Sequence, residues 1–261
     1  MVSLQPPSRR GRTSIKHDAI LHELGLEIVS GELATGTVLT LAGLEERFAT
    51  SRTVMREVVR VLESMGLVVS RRRVGITVQP PRNWSVLDPT VIGWRLEEEA
   101  SRTSQLVSLH ELRRGVEPQA ARLAARYASA EQCGRLLDLA VGMRERGRDG
   151  GGASDEFLRA DIEFHNIVMS CGRNEMFAAL GAIIGAVLDG RTRWELQPDY
   201  PDATAMDTHV RLAEAIGSGD EDAAEECAVL LVDIAVNELV EAERELRGPG
   251  RRWHNPPVQS R

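Results

Sequence analysis

The clearest hydrophobic pattern in the chain lies in the segment RTVMREVVRVL, residues 52–62. Its apolar residues recur every three or four positions, which predicts a helix with one buried stripe. Ser51 precedes the segment and predicts an N-cap, because a serine hydroxyl accepts hydrogen bonds from the free N–H groups of a first helical turn. The predicted stripe consists of Val54, Met55, Val58, Val59 and Leu62.

Arginines repeat along the same helix in a different phase, at Arg52, Arg56 and Arg60. They define a second, solvent-facing stripe, and Thr53 adds a hydroxyl beside it. An arginine near a helix N-terminus can bind guanine in the major groove or clamp a phosphate. The alternative is a solvated charged face without a partner, which is common for charge runs.

The flanking segments favour the first interpretation. Residues 67–78 form two short apolar runs around Arg71, Arg72, Arg73 and Gly75, which predicts a two-stranded wing with a basic tip. Upstream, the spacing of Leu21, Leu24 and Ile28 predicts an amphipathic helix that ends at Gly31. The complete order of helix, helix, recognition helix and wing predicts a winged helix-turn-helix. Its expected DNA contacts are Ser51, Arg52, Thr53, Arg56, Arg72 and Gly75.

The spacing of apolar residues in the rest of the chain predicts helices almost throughout. Breaks are expected at Ser101, Ala128-Ser129, the glycine-rich run 147–154, Gly172, the loop 195–204 and residues 217–219. The fold class is therefore mainly α: an N-terminal winged helix-turn-helix followed by an all-α antiparallel bundle of six to seven helices. The predicted helices span 88–99, 104–127, 130–147, 154–171, 174–192, 206–217 and 220–246.

The expected domain boundaries follow from these elements. Residues 1–13 predict a flexible arm and 14–80 the DNA-binding domain. A linker with a linking helix follows at 81–102, where Trp84 and Trp94 are expected to pack in the joint. Residues 103–246 predict the helical domain, and 247–261 a disordered tail.

The charge distribution supports this division. Residues 1–82 carry a net charge of +4 and the remainder −11, so that a basic head precedes an acidic body. The cysteines, at positions 133, 171 and 227, show no paired motif, which favours a reducing, cytoplasmic compartment. No run of 18 apolar residues and no signal-peptide pattern is present, so neither membrane insertion nor secretion is expected.

One cluster in the helical body suggests metal chemistry. Asp161 and His165 are four residues apart, on one face of a helix, and antiparallel packing can bring His209 near them. A carboxylate with two imidazoles is a reasonable ligand set for a divalent transition metal, with zinc favoured and nickel or manganese as alternatives. The competing interpretation is an ordinary surface or capped Asp–His pair.

Residues 15–79 resemble the GntR family of bacterial transcription regulators. The resemblance rests on Ile28, Gly31, Gly36, Leu44, the run Ser51-Arg52-Thr53, Arg56-Glu57, Leu62, Gly66-Leu67 and Gly75. Members usually carry Ser-Glu-Arg at the start of the second helix, where the arginine contacts DNA. This chain has Thr40, Leu41 and Ala42 there, so that contact is missing.

Residues 104–245 resemble the effector domain of the FadR subfamily, also called the FCD domain. The matching residues are Glu111-Leu112-Arg113, Glu117, Ala120-Ala121, Ala124-Ala125, Asp161, Phe164-His165, Asn174, His209, Ala215-Ile216 and Gly219-Asp220. The resemblance implies Asp161, His165 and His209 as metal ligands and Arg113 as a clamp for a carboxylate effector. Many members have a further histidine where this chain has Leu231.

The linker, the FATSR turn and Arg193-Trp194 are similar to those of galactonate-responsive repressors of sugar-acid operons. That similarity implies that Trp194 lies against a small carboxylate effector, unless Trp194 is a core aromatic. We expect a homodimer on double-stranded operator DNA, because two-fold symmetry requires two matching half-sites. Two other functions remain open from the residues: a metal-free regulator with a larger apolar effector such as an acyl thioester, and a helical metalloenzyme. Glu163 points off the Asp161–His165 face, so the enzyme lacks an evident general base.

Overall fold

The computed structural model describes residues 9–193 and 199–247, with side chains over 16–190 and 199–238. The chain forms two compact units, Met1–Arg102 and Thr103–Arg261. Trp194, most of the predicted arm and nearly all of the predicted tail lie outside the described residues. Within the predicted arm, the first helix already begins at Arg9.

The first unit is a winged helix-turn-helix, as the sequence predicts. Strands β2 and β3 form the predicted hairpin, and β1 adds a third strand that the sequence analysis missed, in the antiparallel order β1-β3-β2. The hairpin register places Val68 opposite Val78 and Arg71 opposite Gly75. The elements are α1 Arg9–Ser30, β1 Val38–Leu39, α2 Leu41–Arg47, α3 Arg52–Ser64, β2 Val68–Arg71, β3 Gly75–Val78, a 3-10 turn Pro81–Asn83 and α4 Pro89–Glu97.

The predicted apolar stripe of α3 forms the centre of this unit. Met55 and Val58 are fully buried, and they pack in one cluster with residues of α1, the hairpin and α4. The Ser51 hydroxyl accepts a hydrogen bond from the N–H of Val54, which confirms the predicted N-cap. These contacts fix the orientation of α3, so that its arginine face points to solvent.

Both linker tryptophans pack in this unit. The indole N–H of Trp94 donates to His22 Nδ1 at 3.1 Å, and the side chain is buried in the cluster around α3. The indole N–H of Trp84 donates to the carbonyl of Gln79 at 3.0 Å.

The glycine at position 25 makes room for the Trp94 indole. A Cβ at this position would lie 2.5 Å from the ring. We therefore expect Gly25→Ala to lower the free energy of unfolding by about 1–3 kcal/mol, as overpacked cores do, even though alanine favours helices. Thermal unfolding followed by circular dichroism checks this. Gly134→Ala, at an exposed helical glycine with no atom within 4 Å, is the control and should not destabilise the protein.

The second unit is an all-α bundle. Helix α7 packs on α6 and α8, α9 packs on α6, and α10 packs on α9. A buried core of alanine, leucine, valine and phenylalanine side chains joins the helices. Across the described residues, no helix combines the length and apolar character that a bilayer span requires. The helices are α5 Glu99–Tyr127, α6 Ala130–Arg148, α7 Asp155–Cys171, α8 Glu175–Arg193, α9 Ala203–Ser218 and α10 Glu221–Arg247.

Two predicted helix boundaries are wrong. The break expected at Ser101 lies at Glu98, and Ser101 is helical because its hydroxyl and the Arg102 guanidinium bind the last carbonyls of α4. Helix α9 begins three residues before the predicted start, because Asp202 caps it by accepting from the N–H of Ala205. His209 consequently lies in the second turn of α9.

Candidate DNA interface and metal centre

A basic groove runs between α3 and the wing. Its volume is about 570 Å³. The predicted contacts Arg52, Arg56, Arg72 and Gly75 all line it. Glu63, an acidic residue that was not predicted at this site, lies among these arginines. The remaining lining residues are Leu41, Val59, Arg60, Ser70, Arg71 and Ile76.

The other predicted contacts are exposed but lie outside the groove lining. Ser51 is occupied as the cap of α3, and Thr53 follows it in the first turn. Ala42, at the position of the missing arginine, is exposed on α2.

The conformation of Gly75 explains why a glycine is required there. Its φ is +118°, and a Cβ would lie 2.6 Å from the carbonyl oxygen of Leu39. Gly75 thus allows β1 to approach the hairpin, which gives it a structural role in the wing in addition to its place in the groove.

The three predicted metal ligands lie together in the second unit. Asp161 Oδ1 is 3.4 Å from His165 Nε2 and 3.6 Å from His209 Nε2, and all three side chains are buried. One ligand atom from each residue lies within 4.8 Å of the others. The Asp–His pair is therefore not an ordinary surface pair, and the group can hold a metal ion.

The hydrogen bonds of the two histidines direct one nitrogen of each ring toward Asp161. His209 Nδ1 lies 2.8 Å from the carbonyl oxygen of Ala205, so this nitrogen donates to the backbone and Nε2 is the one available to a metal ion. Neither His209 Nε2 nor Asp161 Oδ1 has a hydrogen-bond partner among the described residues. Two buried polar atoms without hydrogen bonds are unfavourable, and a cation between them would satisfy both.

Glu117 was not predicted to have a role, but it lies at the centre of the charged network. Its carboxylate accepts from Arg113 Nε at 2.5 Å, while Oε2 lies 3.2 Å from His165 Nδ1. A carboxylate in this position orients a metal-binding imidazole. The spacing of Arg113 and Glu117 on α5 indicates a shared helix face, but only the packing of α5 and α7 brings His165 to it.

The charges in this network are strongly coupled. Burial alone would raise the pKa of Glu117, but the charges of Arg113 and His165 lower it to about 2. Burial alone would lower the pKa of His165, whereas the charge of Glu117, its contact with His165 Nδ1 and the nearby Asp161 carboxylate raise it to about 9. Despite its burial, Asp161 has a pKa well below its usual range because it lies beside both histidines. The carboxylates are thus ionised, as metal ligation requires, and a metal ion bound here would displace the proton from His165 Nε2.

A small cavity of about 30 Å³ adjoins the three ligands. Arg113 lines it, and its Nη1 is buried without a hydrogen-bond partner among the described residues. Leu231, where the family resemblance leads one to expect a histidine, also lines it and contributes an apolar wall. The arrangement can bind a cation through three side chains and an anion through Arg113.

Comparisons with known proteins agree with the architecture. Residues 16–78 match the family described as "Bacterial regulatory proteins, gntR family", and residues 108–233 match the FCD domain. The chain is similar to Lar, which controls expression of the agr system of Listeria monocytogenes. The solved structure of Lar is 14% identical, with a TM-score of 0.53, over 92% of this chain and 99% of that one. This likeness shows a common fold.

Two relatives match most of the chain. The galactonate operon transcriptional repressor of Escherichia coli (strain K12) is 32% identical over 232 residues, 87% of this chain and 97% of the relative. The uncharacterized HTH-type transcriptional regulator YieP, also of Escherichia coli (strain K12), is 29% identical over 81% of this chain and 90% of the relative. The protein is accordingly a DNA-binding transcription regulator rather than an enzyme, and belongs to the GntR family, with an FCD domain following its winged helix-turn-helix.

Proposed function

We propose that the protein is a repressor of a sugar-acid operon whose affinity for its operator is controlled by a small carboxylate bound beside a metal ion. The observation that carries the proposal is the convergence on one cavity of three buried atoms that have no hydrogen-bond partner among the described residues. Asp161 Oδ1 and His209 Nε2 are acceptors suited to a cation, whereas Arg113 Nη1 is a donor suited to an anion. The similarity to the galactonate operon repressor supports an aldonic acid as the anion.

The donor set fits a divalent transition metal held by Asp161, His165 and His209. Two imidazoles and one carboxylate favour zinc, with nickel and manganese as alternatives. Such an ion, when bound, supplies open coordination positions for a carboxylate effector. Arg113 donates to the same carboxylate through Nη1 while its Nε remains bound to Glu117.

On DNA, we propose a homodimer that places two α3 helices in successive major grooves of a pseudo-palindromic operator. Arg52 and Arg56 contact base edges in the major groove. Ser51 and Thr53, at the start of α3, approach the phosphate backbone of the DNA. Arg72, in the wing, contacts the phosphate backbone or the minor groove. With Ala42 in place of an arginine, base readout depends more on α3 and the wing.

The site suggests how the effector acts. The cavity beside the ligands, about 30 Å³, accommodates an ion or a water molecule. A carboxylate effector that binds one arrangement of the protein more tightly than the other shifts the population toward that arrangement. A difference of about 3 kcal/mol between the arrangements changes operator affinity roughly a hundredfold. We propose that this change releases the operator.

The test combines metal analysis with a DNA-binding screen. Purified protein is analysed for metal by mass spectrometry, and its binding to its own promoter is measured by fluorescence anisotropy with galactonate and other aldonic acids. We expect about one metal ion per chain and a weakening of binding by one acid, which a chelator abolishes. A metal-free protein that responds to an acyl thioester would contradict the proposal.

Glu117 provides a prediction about the metal site itself. Replacing it with glutamine removes the charge that holds His165 Nδ1 and Arg113 Nε. Because loss of such an orienting carboxylate typically costs about 10- to 100-fold in metal affinity, we expect a loss of that size. Competition with a chromophoric chelator measures it.

Glu163→Gln is the matched control for this prediction. This glutamate lies on the same helix as Asp161 and His165, but its carboxylate pairs with Arg135 at 2.7 Å on the exposed side. Its replacement should leave metal affinity unchanged. Equal affinities of the Glu117 and Glu163 variants would show that Glu117 does not orient His165.

A further inference from the structure

We propose that Glu63 is a positioning residue for DNA recognition, because its carboxylate fixes the wing beside α3. Glu63 lies in the last turn of α3, and its Oε1 accepts a hydrogen bond from the backbone N–H of Ser70 in β2 at 2.5 Å. This bond joins the two walls of the basic groove. The inference rests on the proposed contact between Arg72 and DNA, since the wing affects affinity only through such contacts.

The geometry of the hairpin explains why this N–H is available. The N–H of Gln79 donates to the carbonyl of Leu67 at 2.8 Å, so these two residues form a hydrogen-bonded pair. Antiparallel pairs alternate, which makes the pair Ser70 and Ile76 one that exchanges no backbone hydrogen bonds. The N–H of Ser70 therefore points away from β3, toward the open edge of β2, where Glu63 receives it.

The charge of Glu63 points to a role in specificity. Among the residues that line the groove, five are arginines and Glu63 is the acidic one. A carboxylate there repels phosphates of any sequence, which lowers affinity for DNA in general. The same carboxylate also holds the wing in place beside α3. This strengthens binding only to a DNA site that α3 and the wing contact at the same time. Glu63 thus raises the ratio of specific to non-specific affinity.

Two substitutions separate these effects. Glu63→Gln loses the charge but keeps an oxygen that accepts from Ser70, whereas Glu63→Ala loses both. The specific probe is a duplex selected from a random pool by the wild-type protein, and the non-specific probe is a scrambled duplex of the same composition. Both variants should bind the scrambled duplex more tightly than wild type. The specificity ratio should fall about tenfold for Glu63→Ala and about threefold or less for Glu63→Gln.

Ser70→Pro tests the same bond from the wing, because it removes the donor and leaves α3 intact. It should reproduce the loss of specific affinity of Glu63→Ala, and the double variant should lose no more than either single one. Glu57→Ala is the control: it deletes a charge from an exposed position of α3, where the carboxylate pairs with Arg60 rather than with the wing. It should leave specific affinity at or above that of wild type.

The Arg72→Ala background distinguishes the possible failures. If Glu63 acts through the wing, Glu63→Ala should have no further effect on specific affinity when Arg72 is already absent. If Glu63→Ala keeps the wild-type specificity ratio while Arg72→Ala weakens binding, the role of Glu63 is refuted and the wing contact stands. An Arg72→Ala variant that binds like wild type would instead refute the proposed wing contact. Thermal unfolding of each variant verifies the fold.

Discussion

Replacing Arg52 and Arg56 together with alanine is expected to weaken operator binding about a hundredfold or more. Both side chains line the groove, one turn apart at the start of α3, and both are exposed. A bidentate arginine–guanine contact contributes about 1–3 kcal/mol, so the loss of two gives an effect of this size. The effect should be larger here than in a regulator with an arginine on its second helix, because Ala42 offers no compensating contact.

The measurement is anisotropy with the selected operator and with a scrambled duplex at several salt concentrations. Base contacts predict a large loss on the operator and a small one on scrambled DNA. Pure phosphate contacts predict similar losses on both, with a shallower salt dependence. Arg82→Ala, in the exposed 3-10 turn and outside the groove lining, is the control. If the double variant lost no more affinity than this control, α3 would not be the recognition helix.

Helix α3 was predictable because its determinants are local. The Ser51 cap, the apolar stripe and the arginine phase all depend on residues within four positions of one another, and the structure confirms the cap. Strand β1 was not predictable in the same way. Its two residues, Val38 and Leu39, become a strand only because β3 pairs with them and Gly75 lets them approach.

The metal centre could be predicted from the sequence only in part. Asp161 and His165 share a helix face by spacing alone, and the family resemblance added His209 and Arg113. The role of Glu117 required the packing of α5 and α7, because its partner His165 is 48 residues away in sequence. The place of Leu231 in the cavity wall likewise depends on how α10 packs. Tertiary contacts of this kind leave no periodic pattern in a single sequence.

Asp161→Asn is expected to abolish metal binding and the effector response while leaving operator binding intact. The change is nearly isosteric, but it removes the charged ligand that lies between His165 and His209. Because loss of a residue that only orients a ligand costs about 10- to 100-fold, loss of a ligand should cost about a hundredfold or more. Dialysed variant protein should therefore contain little metal.

The two readouts, metal content and effector response, test separate parts of the proposal. A variant that keeps its metal would show that Asp161 is not a ligand. A variant that loses metal yet still releases DNA with the acid would show that Arg113 binds the effector without a cation. Joint loss, with operator affinity within about threefold of wild type, is the expected result. It follows because the charge of Arg113, which lines the cavity, is already shared with Glu117, so a carboxylate needs the positive charge of the metal ion to be held there.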